Sequence, residues 1–150
     1  MKIPHFLFWG INAVVVTVLR TPLHRILSGS ILALRYVGIR SGRRRTVPMR
    51  FLSKDTGLVA VTSQDTGWWP NFLTASPAEV LLRGQWAEVR VQAFADRPDL
   101  VGAVMQEMWA KHPADAAYMK VTMRSGEPDP QDYARALATA VLIRIVPGGG

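Results

Sequence analysis

The sequence contains no cysteine. Disulfides, thiolate nucleophiles and cysteine-ligated metals are thereby excluded. Histidine is scarce: His5, His24 and His112 stand far apart, without a metal-ligand spacing such as H-E-x-x-H, and no metal site is expected. A long apolar run is also missing. The stretch from Phe6 to Leu19 is interrupted by Asn12 and falls short of the about 20 apolar residues that span a bilayer. Only Arg20-Thr21-Pro22 follows it, with no small-x-small cleavage site, so a signal peptide is not expected. There is no internal repeat, no G-x-G-x-x-G and no G-x-x-x-x-G-K-[ST]. The one low-complexity stretch is Gly148-Gly149-Gly150, read as a frayed tail at 148–150.

What remains suits a single domain. The chain has 150 residues and is 49% hydrophobic, enough for a core. Its net charge is +7, from 18 basic and 11 acidic residues, which points to an acidic partner. The arginines crowd between Arg20 and Arg50, while the later helical region is closer to neutral. Residues 1–20 read as an amphipathic helix. His5, Asn12 and Arg20 fall on one side, and Phe6, Trp9, Val14, Val15, Val18 and Leu19 form a wide apolar face. Two readings of it stand. It packs on the domain or on a dimer mate, or it lies in a membrane interface with Trp9, Lys2, Arg20 and Arg25 as anchors. The chain is accordingly expected to be cytoplasmic, or peripheral on the inner face of the plasma membrane.

Pro22 opens a short helix through Leu27. Ile31 to Val37 reads as a strand and Gly38-Ile39-Arg40-Ser41-Gly42 as a turn. From Arg45 to Ser53 the pattern alternates, with Val47, Met49 and Phe51 opposed to Thr46, Pro48 and Arg50. Pro48 places this strand at an edge or a bulge. Asp55-Thr56-Gly57 signals a hairpin before a strand at Leu58–Thr62. A polar loop (Ser63–Gly67) and a helical turn (Trp68–Ala75) follow. Strands at Ala78–Leu82 and Trp86–Phe94 flank Arg83-Gly84-Gln85. Asp96-Arg97-Pro98-Asp99 starts a helix with an apolar stripe of Leu100, Val101, Val104, Met105, Met108 and Trp109, stopped by His112-Pro113. Ala114–Lys120 reads as a further helical turn, and Asp129-Pro130 begins a last helix through about Thr139. Val141–Val146 closes as a strand. This order predicts an α+β fold: a split β-barrel of about six mainly antiparallel strands at 21–147, with surrounding helices and the N-terminal helix.

Three stretches could carry chemistry. In Gly38-Ile39-Arg40-Ser41-Gly42-Arg43-Arg44-Arg45, four arginines fall within six positions around a Ser-Gly turn. Guanidinium forks and turn N–H groups suit phosphate and carboxylate, although a solvated turn that aids solubility explains the same residues. In Ser63-Gln64-Asp65-Thr66-Gly67-Trp68-Trp69-Pro70-Asn71, the adjacent tryptophans cannot both face one core from a helix. One of them contacts a ligand, another chain or another helix, or both sit between layers. The third stretch, His112 to Lys120, offers His112, Tyr118 and Lys120 near a helix break. No Ser-His-Asp arrangement and no carboxylate pair stands out, so any enzymatic chemistry here requires a cofactor.

Taken together, "TPLHRILSGSILALRYVGIRSGRRRTVPM", "TSQDTGWWPNFL" and "AVLIRIV" resemble the deazaflavin (F420)-dependent nitroreductase and F420H2-dependent quinone reductase family, over roughly Pro22 to Val146. The resemblance rests on a G-x-[RK]-[ST]-G-x-x-R-x-x-P pattern followed by W-[WY]-x-N-[LF]. It implies coenzyme F420, an 8-hydroxy-5-deazaflavin with a phosphate and an oligoglutamate tail. It also implies hydride transfer from the reduced coenzyme to a quinone, an enone or a nitroaromatic. By resemblance, Arg40, Ser41, Gly42, Arg43 and Arg45 fall at the coenzyme-tail motif, and Pro48, Met49 and Arg50 on the strand beside the ring. Ser63, Gln64, Trp68, Trp69 and Asn71 match the following coenzyme-contacting segment, and Tyr118 a substrate-side tyrosine with a catalytic role. The sequence departs from the family at Gln64-Asp65-Thr66-Gly67, where relatives carry a lysine and glycines, and near His112 and Asp115, where relatives carry further tyrosines.

The implied partner is a small-molecule acceptor, with a homodimer and a membrane surface through residues 1–20 as the further candidates. A non-enzymatic binder of an anionic lipid or lipid-like ligand on the same barrel is the competing reading. Nucleic acid is not expected: no helix-turn-helix, zinc or RNP-like motif occurs, and the basic residues crowd one turn instead of lining a groove.

Overall fold

A computed structural model describes residues 30–148 of the chain. The expected helices at 1–20 and from Pro22 to Leu27 lie outside the described residues, as do the last two glycines of the tail. The strands are β1 (Ile31–Val37), β2 (Arg44–Arg50), β3 (Leu52–Lys54), β4 (Gly57–Ser63), β5 (Ser76–Leu82), β6 (Gln85–Ala95), β7 (Met123–Arg124), β8 (Glu127–Pro128) and β9 (Ala140–Pro147). Two α-helices, α1 (Pro98–Lys111) and α2 (Pro130–Thr139), join them, with 3-10 segments at Gln64–Thr66, Trp69–Phe72 and Pro113–Met119. Seven strands form one antiparallel sheet in the order β2-β1-β5-β6-β9-β4-β3, and β7 pairs with β8 separately. The fold is α+β, a split-barrel architecture.

The chain divides into two compact units. One holds the described residues up to Arg50, Pro77–Arg90 and the chain from Pro147; the other holds Phe51–Ser76 and Val91–Val146. In the first unit β1 pairs with β2 from Ile31↔Arg50 to Val37↔Arg44 and with β5 at Ala33↔Leu81 to Arg35↔Glu79. Directly opposed residues share a face of the sheet. Buried Leu32, Leu34 and Tyr36 therefore share a face with Met49, Val47 and Arg45. The other face carries Ala33 and Leu81, also buried, with Ile31 and Trp86 packed against them. β2 ends the strand order, which gives Pro48 the edge position its missing N–H requires.

The second unit is built on α1. Val101, Val104, Met105, Met108 and Trp109 are buried as the stripe predicts, and Leu100 is half-buried. They pack with Val59, Leu142 and Ala136. Gly102 lies on the same side. A Cβ there would meet Tyr133 Oη at 3.3 Å and Leu137 Cδ1 at 3.4 Å, so its small size lets α2 approach α1 closely. Trp109 and Tyr133 meet edge to face with centroids 6.0 Å apart. Asp129 caps α2 by accepting the Asp132 N–H at 3.1 Å.

Several expectations change. The strand expected from Arg45 to Ser53 is two strands, β2 and β3, because Phe51 and Leu52 are both buried and the two-residue alternation slips there. The start of α1 is not capped by a carboxylate. Arg97 occupies the cap position without a side-chain cap, and Arg97 instead pairs with Asp99 in two hydrogen bonds of 3.0 and 2.8 Å. The helical turn expected at Trp68–Ala75 is a 3-10 segment limited to Trp69–Phe72, and β5 begins at Ser76. The β7–β8 hairpin falls where the sequence pattern predicts no strands; its turn uses Ser125 and Gly126, both at positive φ.

Candidate functional site

The arginine turn connects β1 and β2. Val37 and Arg44 form the last pair of the ladder, and residues 38–43 close the loop. The backbone bonds itself: Gly42 N–H donates to Gly38 O and Gly38 N–H to Arg43 O, each at 2.9 Å. Ser41 Oγ accepts the Arg43 N–H at 3.2 Å. A Cβ on residue 38 would stand 2.8 Å from that same Oγ, so a side chain there would make the Ser41 hydroxyl rotate away. Gly42 adopts φ +65°, a left-handed conformation that glycine takes without strain.

The side chains behave differently from the backbone. Arg40, Ser41, Arg43, Arg44 and Arg45 are all exposed. Among the described residues, no carboxylate forms an ion pair with Arg40, Arg43, Arg44 or Arg45. Four guanidinium groups without an ion pair on one short turn repel one another and concentrate positive potential there, with only Arg44 close enough to Glu79 to feel its charge. Arg45 stands opposite Tyr36; burial raises that phenol above its ordinary range, and the arginine's charge works the other way.

Below the turn the stem is neutralised. Arg35 donates to both oxygens of Glu79, from Nε at 3.2 Å and from Nη2 at 3.0 Å, and its guanidinium lies 3.7 Å from the centroid of Trp86. The Arg35 hydrogen bond holds the Glu79 carboxyl below its usual value. This grouping was missed from sequence and no signal there points to it, since it gathers side chains from β1, β5 and β6. Pro48 sits opposite Ala33, Met49 opposite Leu32, and Arg50 donates from Nη1 to Ser30 Oγ at 2.7 Å.

The tryptophan segment lies in the other unit, and several of its side chains donate back into it. Trp69 Nε1–H donates to Gln64 O at 2.9 Å, and Asn71 Nδ2 donates to Trp68 O at 2.7 Å. Thr66 Oγ1 donates to Ser63 O at 2.8 Å, and Gln64 Nε2 to Asp96 Oδ1 at 3.2 Å. Trp68 meets buried Phe72 edge to face at 6.1 Å. The adjacent tryptophans are thus both half-buried: one indole N–H is turned back into the loop and one ring rests on Phe72. Asp65 points into solvent. Tyr118, on the 3-10 segment after α1, is 71% exposed.

Comparison with solved structures supports the split-barrel fold. The chain is similar to the protein Atu2129 of Agrobacterium tumefaciens, described as of unknown function, at 18% identity and a TM-score of 0.50, over 92% of this chain and 54% of that one. It thus spans about half the length of the Agrobacterium protein. It is similar to HutZ, the heme storage protein of Vibrio cholerae, at 13% identity and a TM-score of 0.50, over 87% of this chain and 92% of that one. An F420 reductase aligns at 17% identity and a TM-score of 0.49, over 89% of this chain and 92% of that one. Likenesses of this size speak to fold and not to ligand, and the third, below 0.50, bears on neither. No protein-family model matches the chain, and no curated protein matches it. Among the described residues, no helix is long and apolar enough to cross a membrane.

Proposed function

We propose that this chain is an F420H2-dependent reductase acting on a quinone, an enone or a nitroaromatic. One observation carries the reading: the turn at residues 38–45 has a tightly self-bonded backbone and four exposed arginines without carboxylate partners. A phosphate with an oligoglutamate tail is a polyanion of the kind such a turn suits. Arg40, Arg43 and Arg45 would hold that tail, with Ser41 and Gly42 shaping the turn. Pro48, Met49 and Arg50 are assigned to the ring-side strand by the resemblance alone, as are Ser63, Gln64, Trp68, Trp69 and Asn71 to the contacting segment. In that segment the fit is narrower. The Gln64 amide is held by Asp96, so its contribution falls to the backbone unless that bond opens.

When bound, the coenzyme supplies the hydride. The protein's part is orientation and a fixed field, and no covalent nucleophile is needed. Tyr118, exposed and therefore accessible, would hydrogen-bond the acceptor and assist its protonation.

Isothermal titration of the protein with F420 tests the reading. Binding is expected, with Arg40→Ala and Arg45→Ala each weakening it about tenfold at low salt and less as salt screens the charges. A well-folded protein that takes up no coenzyme at high micromolar ligand overturns the proposal. Oxidation of the reduced coenzyme against a panel of quinones and enones then names the acceptor, and Tyr118→Phe should slow that oxidation without changing coenzyme affinity.

A further inference from the structure

Charge is divided unevenly along the sequence. Residues 1–54 hold ten lysines and arginines and no aspartate or glutamate, whereas residues 55–150 hold eight basic residues and all eleven acidic ones. Charges of +10 and −3 thus make up the net +7. The β1–β2 hairpin lies wholly within the cationic segment. Its tip also carries an apolar feature that anion binding does not require: Val37 is 61% exposed and Ile39 is 73% exposed. Val37 is paired with Arg44 and so shares a face with it, while Arg45 shares the opposite face with Tyr36.

Exposed aliphatic side chains gain little beside nucleic-acid phosphates. At a lipid interface they enter the boundary between headgroups and acyl chains while neighbouring guanidinium groups meet the lipid phosphates. We propose that the tip of the β1–β2 hairpin docks on an anionic lipid surface, with Val37 and Ile39 entering the headgroup boundary and Arg43 and Arg44 meeting lipid phosphates. Arg43 is shared with the proposed coenzyme-tail site, whereas Val37, Ile39 and Arg44 are assigned no contact with the coenzyme, so the Val37, Ile39 and Arg44 variants separate docking from the coenzyme reading.

The lack of cysteine allows a direct test on the full chain. Ile39→Cys and, as a control on β8, Glu127→Cys are each labelled with an environment-sensitive fluorophore and mixed with vesicles of phosphatidylglycerol and phosphatidylcholine. Emission at position 39 should shift to the blue and rise severalfold, position 127 should stay unchanged, and pure phosphatidylcholine should give little response at either. In co-sedimentation of the unlabelled chain, Val37→Ser/Ile39→Ser should lower vesicle partition about tenfold. Arg43→Gln and Arg44→Gln should each lower it about fivefold. These side chains are exposed, so thermal melts of the variants should match the parent. Three results overturn the proposal: no vesicle binding, binding with no spectral change at position 39 and no loss in the variants, or the same spectral change at position 39 on adding single-stranded RNA.

Discussion

The arginine turn and the tryptophan segment are both loops with unusual side chains, yet they solve opposite problems. In the tryptophan segment the polar side chains are consumed within the fold: Trp69, Asn71 and Thr66 donate to main-chain carbonyls of the segment, Gln64 donates to Asp96, and Phe72 anchors the segment in the interior. In the arginine turn only the backbone and Ser41 are consumed, and the guanidinium groups face solvent. A loop whose side chains bond one another is held by them. A loop whose backbone closes itself holds side chains for something else. Substitutions in the first should therefore cost stability, and those in the second should cost binding.

The largest effect should come from Phe72→Ala. That ring is 2% exposed and supports Trp68, so its loss should lower stability by about 3–5 kcal/mol, read from denaturant unfolding. Survival of the variant at near-parent stability would break the contrast at its stronger end. Trp69→Phe removes the indole donor and leaves Gln64 O without that hydrogen bond, and about 1–2 kcal/mol is expected in the same assay. In the arginine turn, Gly42→Ala finds open space but places a side chain at φ +65°; about 1 kcal/mol of backbone strain should appear as a lower melting temperature. Arg40→Ala should change stability by less than about 0.5 kcal/mol, although coenzyme affinity falls.

Much of this contrast was legible in the residues, and the part that was not has physical causes. The stripe of α1 was readable because a 14-residue helix repeats its pattern over several turns. Pro48 marked an edge because proline has no N–H to share. The basic turn was visible as charge density alone. The break after Arg50 was hidden because Phe51 and Leu52 are both apolar and both buried, and alternation read in isolation does not reveal where its phase slips. The β7–β8 hairpin has two residues per strand, too few for any period. In sequence the tryptophan pair presents a conflict between two faces. The resolution lay in a hydrogen bond from Trp69 to a main-chain carbonyl five residues earlier, which depends on the 3-10 turn at Gln64–Thr66.

The smallest effect sharpens the comparison at the base of the arginine turn, where one arginine does have a carboxylate. Arg35 lowers the Glu79 pKa from its ordinary value chiefly by hydrogen bonding, against a smaller opposing effect of desolvation. A carboxylate whose pKa is lower folded than unfolded contributes its stabilisation above the unfolded value and loses it as pH falls through the folded one. Parent protein should therefore lose stability on acidification below the usual glutamate range, and Glu79→Gln should flatten part of that loss. Lys54–Glu107, Arg97–Asp99 and the Thr122 N–H on Asp132 lower three other carboxylates in the same direction, so Glu79→Gln removes one contribution among several. Because Glu79 is solvent-accessible, the effect should also shrink as salt is added. Near neutral pH the variant leaves Arg35 stacked on Trp86 but without its carboxylate, a fifth unpaired guanidinium on the hairpin. If the arginine turn binds anions by charge density, Glu79→Gln should strengthen coenzyme binding slightly at low salt while the melting temperature falls. Titration calorimetry and a thermal melt on one preparation give both signs, and a fall in both would show that Glu79 orders the turn rather than merely lowering its charge.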